Sequence, residues 1–504
     1  MNMNTLRTCL LAGLLSLNLS CGQDSNQIQT SAQPRTVTLP EPENKTTPIN
    51  EISLTSFDDW IAKCNDLPPN RKLNGRFPSN DQLPLKDLVE FKWLLDKFLE
   101  NQLTGPLSVE ANWLGKKPSK ETFFNTSKVY FEQGGIPFEP FAQKLNLKAE
   151  SKILFHGDLH GDLHSLNEWL KHLNREGLLK GFKATNPNLN LLFLGDYTDR
   201  GAYGVEVMYV LMRLRVENPS QVWMARGNHE DIQLTMNYGF LKEATSKYGP
   251  AFPIKRLSRI YDFLPVVIYA GHGNDYIQCN HGGVEPGYRP ADLLDHPTSV
   301  AFHLLGQINQ KTFIDTHTDV SPILGQNGNR IAQENFKDFT PTSPTTPTIL
   351  GFMWNDFTLT GDEENLTIFP GRAWVYGKDL TNKVLKESSS QENKIRAIFR
   401  AHQHFGIPNP MMRRLVHSHG VFRHWQESRN PSPSENENSM DALNLETENK
   451  RRLVEGSAYT FNVAPDSNYG AGNHYDFDTF GILNFAEIFE DWELEVVNLT
   501  NIRW

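Results

Sequence analysis

Five short segments carry the residues that could do chemistry together: Gly157-Asp158-Leu159-His160-Gly161, Gly195-Asp196-Tyr197-Thr198-Asp199-Arg200-Gly201, Gly227-Asn228-His229-Glu230, His281-Gly282-Gly283 and Arg400-Ala401-His402-Gln403. They supply carboxylates, imidazoles and an amide oxygen but no thiolate, a donor set that suits Mn, Fe or Zn. Such a set is suited to phosphate ester hydrolysis, where an anionic phosphoryl group repels nucleophiles and water is a poor one. Two divalent ions about 3.5–4 Å apart answer both difficulties, lowering the pKa of a bound water towards roughly 7 and neutralising phosphoryl charge. One carboxylate must hold the pair together. Asp196 is the candidate bridge, with Asp158 and His160 on one ion and Asn228, His281 and His402 on the other.

Asp158 and His160 stand two apart, a spacing that aims both side chains the same way at a strand end. Gly-Asp-Leu-His recurs at once as residues 161–164, which raises a register question. The first copy is taken as the ligand pair because it sits at the strand terminus. Asp162 and His164 are expected to fall in the following helix, where Asp162 or Ser165 could cap it. His229 follows a proposed ligand and is placed to protonate the leaving oxygen, work typically worth about 10²–10⁴ in rate. Asp199 would orient that imidazole and stabilise its charged form. Arg200 offers a planar fork matched to phosphate oxygens. His404, His417, His419 and His424 crowd the region after His402 and are read as exposed polar residues on strands and loops, with a second metal site there as the alternative.

These residues need a scaffold, and the apolar runs supply one. Ile153-Leu154-Phe155, Leu191 to Leu194 and Val222 to Ala225 read as buried strands. Leu166, Leu170 and Leu173, then Val207, Leu211 and Leu214, line the helices between them. That rhythm predicts a largely parallel sheet, with each of the first three motifs at a strand's carboxyl end, where open α/β sheets place their ligands. Further strands are expected at 265–270, 276–280, 394–399, 458–463, 480–486 and 492–499, and their closer spacing predicts a second, more mixed sheet facing the first. Residues 51–150 read as helical and auxiliary; Leu85, Leu88, Phe91, Leu95 and Phe98 share one helical face. Two stretches, near 305–350 and 426–452, read as insertions on the surface, the second of disordered composition.

At 504 residues with 38% hydrophobic content, the chain can bury a large core. A net charge of −10 argues against a nucleic-acid-binding surface. Arg7 and the apolar Leu10 to Leu19 read as an export signal over residues 1–21, ending at Leu19-Ser20-Cys21-Gly22, which resembles the lipobox of bacterial lipoproteins. Residues 22–50 are polar enough to be a flexible tether. The expected address is therefore periplasm or cell envelope, with a lipid anchor at Cys21 as the membrane contact. Cys64 and Cys279 remain, too few for a disulfide framework, and Cys279 reads as a small buried thiol.

The five motifs, in this order, resemble the phosphoprotein phosphatase (serine/threonine) family of the calcineurin-like metallophosphoesterase superfamily. Weaker stretches agree: Phe263-Leu264-Pro265, Cys279-Asn280 before His281, Trp354-Asn355-Asp356, Gly371-Arg372 to Gly377, and Ala464-Pro465 through Asn468-Tyr469-Gly470 with an apparent two-residue insertion. The resemblance covers residues 125–500, leaving 51–124 as a helical extension. It implies an α/β fold, a four-layer αββα sandwich, holding two divalent ions, Mn first and Fe or Zn as alternatives. It also implies direct attack by a bridging hydroxide on phosphate monoesters, above all phosphoserine and phosphothreonine in proteins, with phosphotyrosine a further substrate. Arg200, Arg372, Asn228 and Tyr469 would bind substrate. Glu230 favours the phosphoprotein branch, since the bacterial diadenosine tetraphosphate hydrolases tend to carry Asp there. Departures are Ala225 for the usual leucine, His156 where cysteine is common, and a long stretch between His281 and Trp354. The alternative function is an exported phosphoesterase for small esters or nucleotides.

Overall fold

Strand Leu189–Phe193 is buried at every position, which requires cover on both faces. A computed structural model shows what provides it. The structure describes residues 52–132, 134–285, 287–305, 350–369, 373–404, 409–426, 445–467 and 476–500. All of these lie in one compact unit.

Two sheets stack face to face. We number their strands in chain order: β1 Phe141–Leu147, β2 Lys152–His156, β3 Leu189–Phe193, β4 Val222–Met224, β5 Val267–His272, β6 Asp275–Cys279, β7 Val300–Leu304, β8 Lys394–Arg400, β9 Val421–Arg423, β10 Lys450–Arg452, β11 Ser457–Phe461, β12 Asp478–Asn484 and β13 Glu493–Leu499. The first sheet runs β10-β13-β12-β2-β3-β4 and the second β9-β11-β8-β6-β5-β1-β7. β2, β3 and β4 are parallel neighbours, in register from Ile153 opposite Asn190 to Phe193 opposite Met224. Alternation along β5 shows the layering. Ile268 and Ala270 face Phe155, Leu192 and Leu194 of the first sheet, whereas Val267 and Tyr269 face a second core with Leu380 and Leu385 of helix Lys378–Ser388.

The outer face of the first sheet carries helices α4 (Leu163–Arg175) and α5 (Gly204–Glu217). α5 is buried from Gly204 to Leu214 because the N-terminal helices α1 (Phe57–Asn65), α2 (Asn70–Leu73) and α3 (Val89–Thr104) belong to the layer beyond it. Trp60 of α1 stacks on Tyr209 of α5 at 4.5 Å between ring centroids. The architecture is an αββα sandwich.

Three expectations need correction. The strands at 480–486 and 492–499 are β12 and β13 of the first sheet, not members of the second, so three of the first sheet's five pairings are antiparallel. Residues 51–150 are not all helical, because Phe141–Leu147 is β1 of the second sheet. Gln143, Lys144 and Asn146 hide its apolar pattern, and the Lys144 amine is accommodated by the carbonyls of Leu294 and His296, both at 2.6 Å. Finally, α3 starts at Val89, after Leu85 and Leu88, where the Asp87 carboxylate accepts the Val89 N–H at 2.9 Å. The insertions, the signal, the tether and Cys21 lie outside the described residues, apart from residues 305, 350, 426 and 445–452 at the insertion edges. Cys64 and Cys279 are buried and free, and among the described residues no helix is long and apolar enough to cross a membrane.

Candidate metal centre

Each motif follows the carboxyl end of a strand: 157–161 after β2, 195–201 after β3, 227–230 after β4, 281–283 after β6 and 401–403 after β8. The turns after β3 and β4 approach so closely that a Cβ on Gly195 would lie 2.6 Å from the Gly227 Cα. Only glycine allows that contact, and it brings Asp196 beside Asn228. The backbone is left-handed at His160, Asp196, Asp199, Arg200 and His402.

The structure brings Asp158, His160, Asp196, Asn228, His281 and His402 together, all buried. Asp196 Oδ2 lies 3.0 Å from His281 Nε2 and 3.5 Å from His160 Nε2. Asn228 Oδ1 is 2.9 Å from His281 Nε2, and His402 Nδ1 is 3.2 Å from the same atom. Backbone carbonyls set two of the tautomers. His160 Nδ1 donates to Thr198 O at 2.9 Å and His281 Nδ1 to Leu194 O at 3.0 Å. Each Nε2 is thereby turned toward the carboxylates, the outer support that metal-binding histidines require.

This donor set fits divalent metal. With its Nδ1–H committed, His281 presents a lone pair to a carboxylate oxygen and an amide oxygen, and a shared cation reconciles the three. Two groups of ligand atoms, Asp158/His160/His404 and Asp196/His281/His402, each lie within 4.8 Å of one another. Asp196 also groups with His160 and His229, which makes it the link between the halves. Burial would raise the Asp196 carboxyl, but positive charge on the His281 and His229 imidazoles holds it well below the usual carboxylate range, a charge that bound cations would supply once His281 ligates through its lone pair. Burial pushes His160 down to about 3, keeping it neutral and able to ligate.

His404 is the residue the sequence reading misplaced. It is buried, not exposed, and its Nε2 sits 2.6 Å from Asp158 Oδ2. The signal was available as His402-Gln403-His404, an H-x-H pair at a strand end, the same logic used for Asp158 and His160. His424 is also buried, bonded to Thr358 O and Thr460 Oγ1 at 2.8 Å each, so it is a satisfied core histidine. His417 is exposed and His419 half-buried.

The second copy of the echo has a different job. Asp162 is the N-cap of α4, its carboxylate accepting Ser165 N (2.8 Å), Ser165 Oγ (2.6 Å) and Asp466 N (2.6 Å). Glu230 likewise ties backbone: Oε2 accepts from Asp196 N and Gly227 N (2.8 Å each) and Oε1 from Tyr197 N (2.9 Å). Arg400, fully buried, bonds Gly282 O, Asn355 O, Asp356 Oδ1 and Gln403 Oε1 at 2.9–3.0 Å, which fixes the His281 and His402 loops against each other.

His229 and Asp199 form a dyad, Nδ1 to Oδ2 2.7 Å, while Asp199 Oδ1 accepts Phe240 N at 2.8 Å. The His229 ring stands edge-on to His160, 4.8 Å between centroids. Burial opposes protonation of His229, but Asp196 and Asp199 raise its pKa above the ordinary value. The half-buried Arg200 guanidinium lies on the Tyr238 ring at 4.1 Å. Arg372 and Tyr469 lie outside the described residues.

The family model for calcineurin-like phosphoesterases matches residues 151–406, just over half of the 504 residues. The chain belongs to the calcineurin-like phosphoesterase family. Among its relatives is the serine/threonine-protein phosphatase SIT4 of Candida albicans, 35% identical over 145 residues, which are 29% of this chain and 43% of that protein. The chain thus spans less than half the length of that curated relative. Solved phosphoesterases that resemble it include a serine/threonine phosphatase from Saccharomyces cerevisiae with similarity to human PP5, at 18% identity and TM-score 0.42, covering 89% of this chain and 97% of that one. A cold-active protein-tyrosine phosphatase of a psychrophilic Shewanella gives 13% identity and TM-score 0.32, covering 73% and 80%.

Proposed function

We propose that this phosphoesterase is a metal-dependent phosphatase acting on phosphate monoesters, with phosphoserine and phosphothreonine of proteins as its substrates. The observation that carries the reading is the buried cluster centred on Asp196 with the His229–Asp199 dyad, 2.7 Å apart, beside it. When bound, two divalent ions supply a nucleophile from water near neutral pH and offset phosphoryl charge. Asp158, His160 and His404 would hold one ion, Asn228, His281 and His402 the other, with Asp196 shared. Arg200 pairs with phosphoryl oxygens, its plane fixed by Tyr238. His229 gives the proton at Nε2 to the departing alkoxide while Asp199 holds Nδ1–H. Arg372 and Tyr469 complete the substrate-binding set on the strength of the family resemblance alone.

Full-length protein loaded with Mn, assayed on phosphoserine, phosphothreonine and phosphotyrosine peptides beside nucleotides and small esters, tests this. Preference for the peptides supports it; turnover confined to nucleotides or small esters moves the function to a scavenging phosphoesterase; no turnover of any ester refutes it. The lipoprotein reading of residues 1–21, with the anchor at Cys21 and residues 22–50 as tether, is tested by palmitate labelling of the wild type against Cys21→Ala.

A further inference from the structure

The turns that carry His160 and Asp199–Arg200 meet backbone to backbone. A Cβ on Gly201 would lie 2.2 Å from His160 O, and one on Gly161 would lie 3.1 Å from Gly201 Cα. His160, Gly161, Asp199 and Arg200 all have positive φ, so neither turn rests in its locally preferred shape. Their inner ends are bonded directly, Leu159 N and His160 N to Asp196 O, Gly161 N to Tyr197 O and His160 Nδ1 to Thr198 O, but Gly161 and Gly201 bring no side chain to the outer edge of the junction.

A further bridge, at that outer edge, comes from the N-terminal arm, outside the family-matched region. Asn70 donates its Nδ2 to Gly161 O at 3.1 Å and accepts Ala202 N on Oδ1 at 2.7 Å. One amide spans both turns, and only one orientation satisfies both bonds. The arm itself is pinned by its backbone. Asn70 N donates to Asp466 Oδ2 at 2.7 Å, Leu67 O accepts His164 Nε2 at 2.9 Å, and Pro68 O accepts the Tyr203 hydroxyl at 2.5 Å. Asp466 N in turn donates to Asp162, the cap of α4. Through these anchors the echoed Asp162 and His164 support the arm that carries Asn70.

We propose that Asn70 is a positioning residue and that residues 67–70 form an intramolecular clamp on the two turns, fixing the His160 ligand against the Asp199–His229 dyad. This rests on the function proposed above. Misplacing reacting groups by a fraction of an ångström to an ångström costs rate steeply, up to about a hundredfold. Asn70→Asp is nearly isosteric, keeps the acceptor for Ala202 N and sets a carboxylate oxygen against Gly161 O. Asn70→Ala removes both bonds.

The test uses the full chain. Mn(II) affinity and the Mn–Mn coupling are read by electron paramagnetic resonance, kcat and KM on an aryl phosphate and a phosphoserine peptide, and the folded fraction by thermal unfolding. The clamp predicts a kcat lower by about tenfold to a hundredfold with KM little changed, weaker Mn(II) binding or altered coupling, and a folded fraction near wild type. Wild-type kcat and Mn(II) signals in a folded Asn70→Asp variant overturn it, as does a kcat loss that only tracks loss of folded protein. Should Asn70→Ala not fold, Asn70→Asp decides. If wild type turns over no ester, the functional reading fails, and the Mn(II) signals of the variants still judge the clamp.

Discussion

Asp199→Asn exchanges one carboxylate oxygen for an amino group, and the hydrogen bonds around it decide how the dyad responds. The carboxylate uses both oxygens, one on His229 Nδ1 at 2.7 Å and one on Phe240 N at 2.8 Å. Asparagine has one acceptor. Turning its amino group toward Phe240 N would oppose two donors in a buried place, at a cost of about 1–3 kcal/mol. The amide oxygen therefore stays on Phe240 N, and the amino group faces Nδ1. The imidazole must then accept at Nδ1 and carry its proton on Nε2 as a neutral ring, a far weaker acid than imidazolium. A full general-acid contribution of about 10²–10⁴ corresponds to roughly 3–5 kcal/mol of barrier. Asp196 still attracts charge onto His229, so part of the effect survives. The expected loss on a phosphoserine peptide is about tenfold to a hundredfold, below that of His229→Asn. An aryl phosphate with an acidic phenol needs no proton at the leaving oxygen and should lose only about threefold or less. Rates on a series of leaving groups, with metal content measured on the same samples, make the check. Equal losses across the series at unchanged metal content would refute the general-acid role and leave His229 as a phosphoryl-binding group.

Other changes separate neighbouring roles. Asp158→Asn should abolish turnover and bound metal, whereas Asp162→Asn should keep the ions; metal analysis showing the reverse would put the ligands on the wrong copy of the echo. His404→Ala should leave about one tightly held ion per chain by equilibrium dialysis; two tightly held ions would remove His404 from the ligand set. Glu230→Gln exposes one buried N–H, Tyr197 or its neighbours, to a donor, and should lower unfolding free energy by about 1–3 kcal/mol in urea titrations; an unchanged midpoint would contradict the bonding described. Burial, against the hydrogen bond to Thr358, holds His424 down at about 3. An unfolded histidine titrates near about 6.5, so in this window the unfolded chain binds the extra proton and stability rises with pH. The contribution is complete above that value and falls by about 1.4 kcal/mol per unit as pH drops, about 2 kcal/mol by pH 5, and His424→Gln should flatten that slope relative to wild type.

The parts of the fold legible in the sequence are those whose burial is written in apolar runs. Leu189–Phe193 and Ile153–Phe155 announce themselves because both faces are covered. β1 does not, because Lys144 lies in it with its charge satisfied by two carbonyls more than a hundred residues away. The membership of β12 and β13 in the first sheet was equally hidden, since strand order depends on contacts such as Phe480 opposite His156 that no local pattern encodes. For the site, spacing after strand ends brought six ligand candidates into view. It failed at His404, where crowding by His417, His419 and His424 made four histidines look alike although their burial differs widely. The work of Glu230, Arg400 and Asn70 could not be read in advance, because each acts on backbone atoms of other loops.

The left-handed backbone at His160, Asp196, Asp199, Arg200 and His402 has a consequence for how such a chain can drift. An L-residue in that region costs about 1–2 kcal/mol, less for aspartate, so the five together amount to several kcal/mol. The net stability of a whole domain is only about 5–15 kcal/mol. Glycine at any of these places would relax the turn, and at half-buried Arg200, where the least packing is lost, substitutions that silence the centre would also make the protein harder to unfold. A lineage released from catalysis would be drawn toward those substitutions by stability alone. A chain that keeps all five side chains in this conformation is held there by what they do, against what folding prefers.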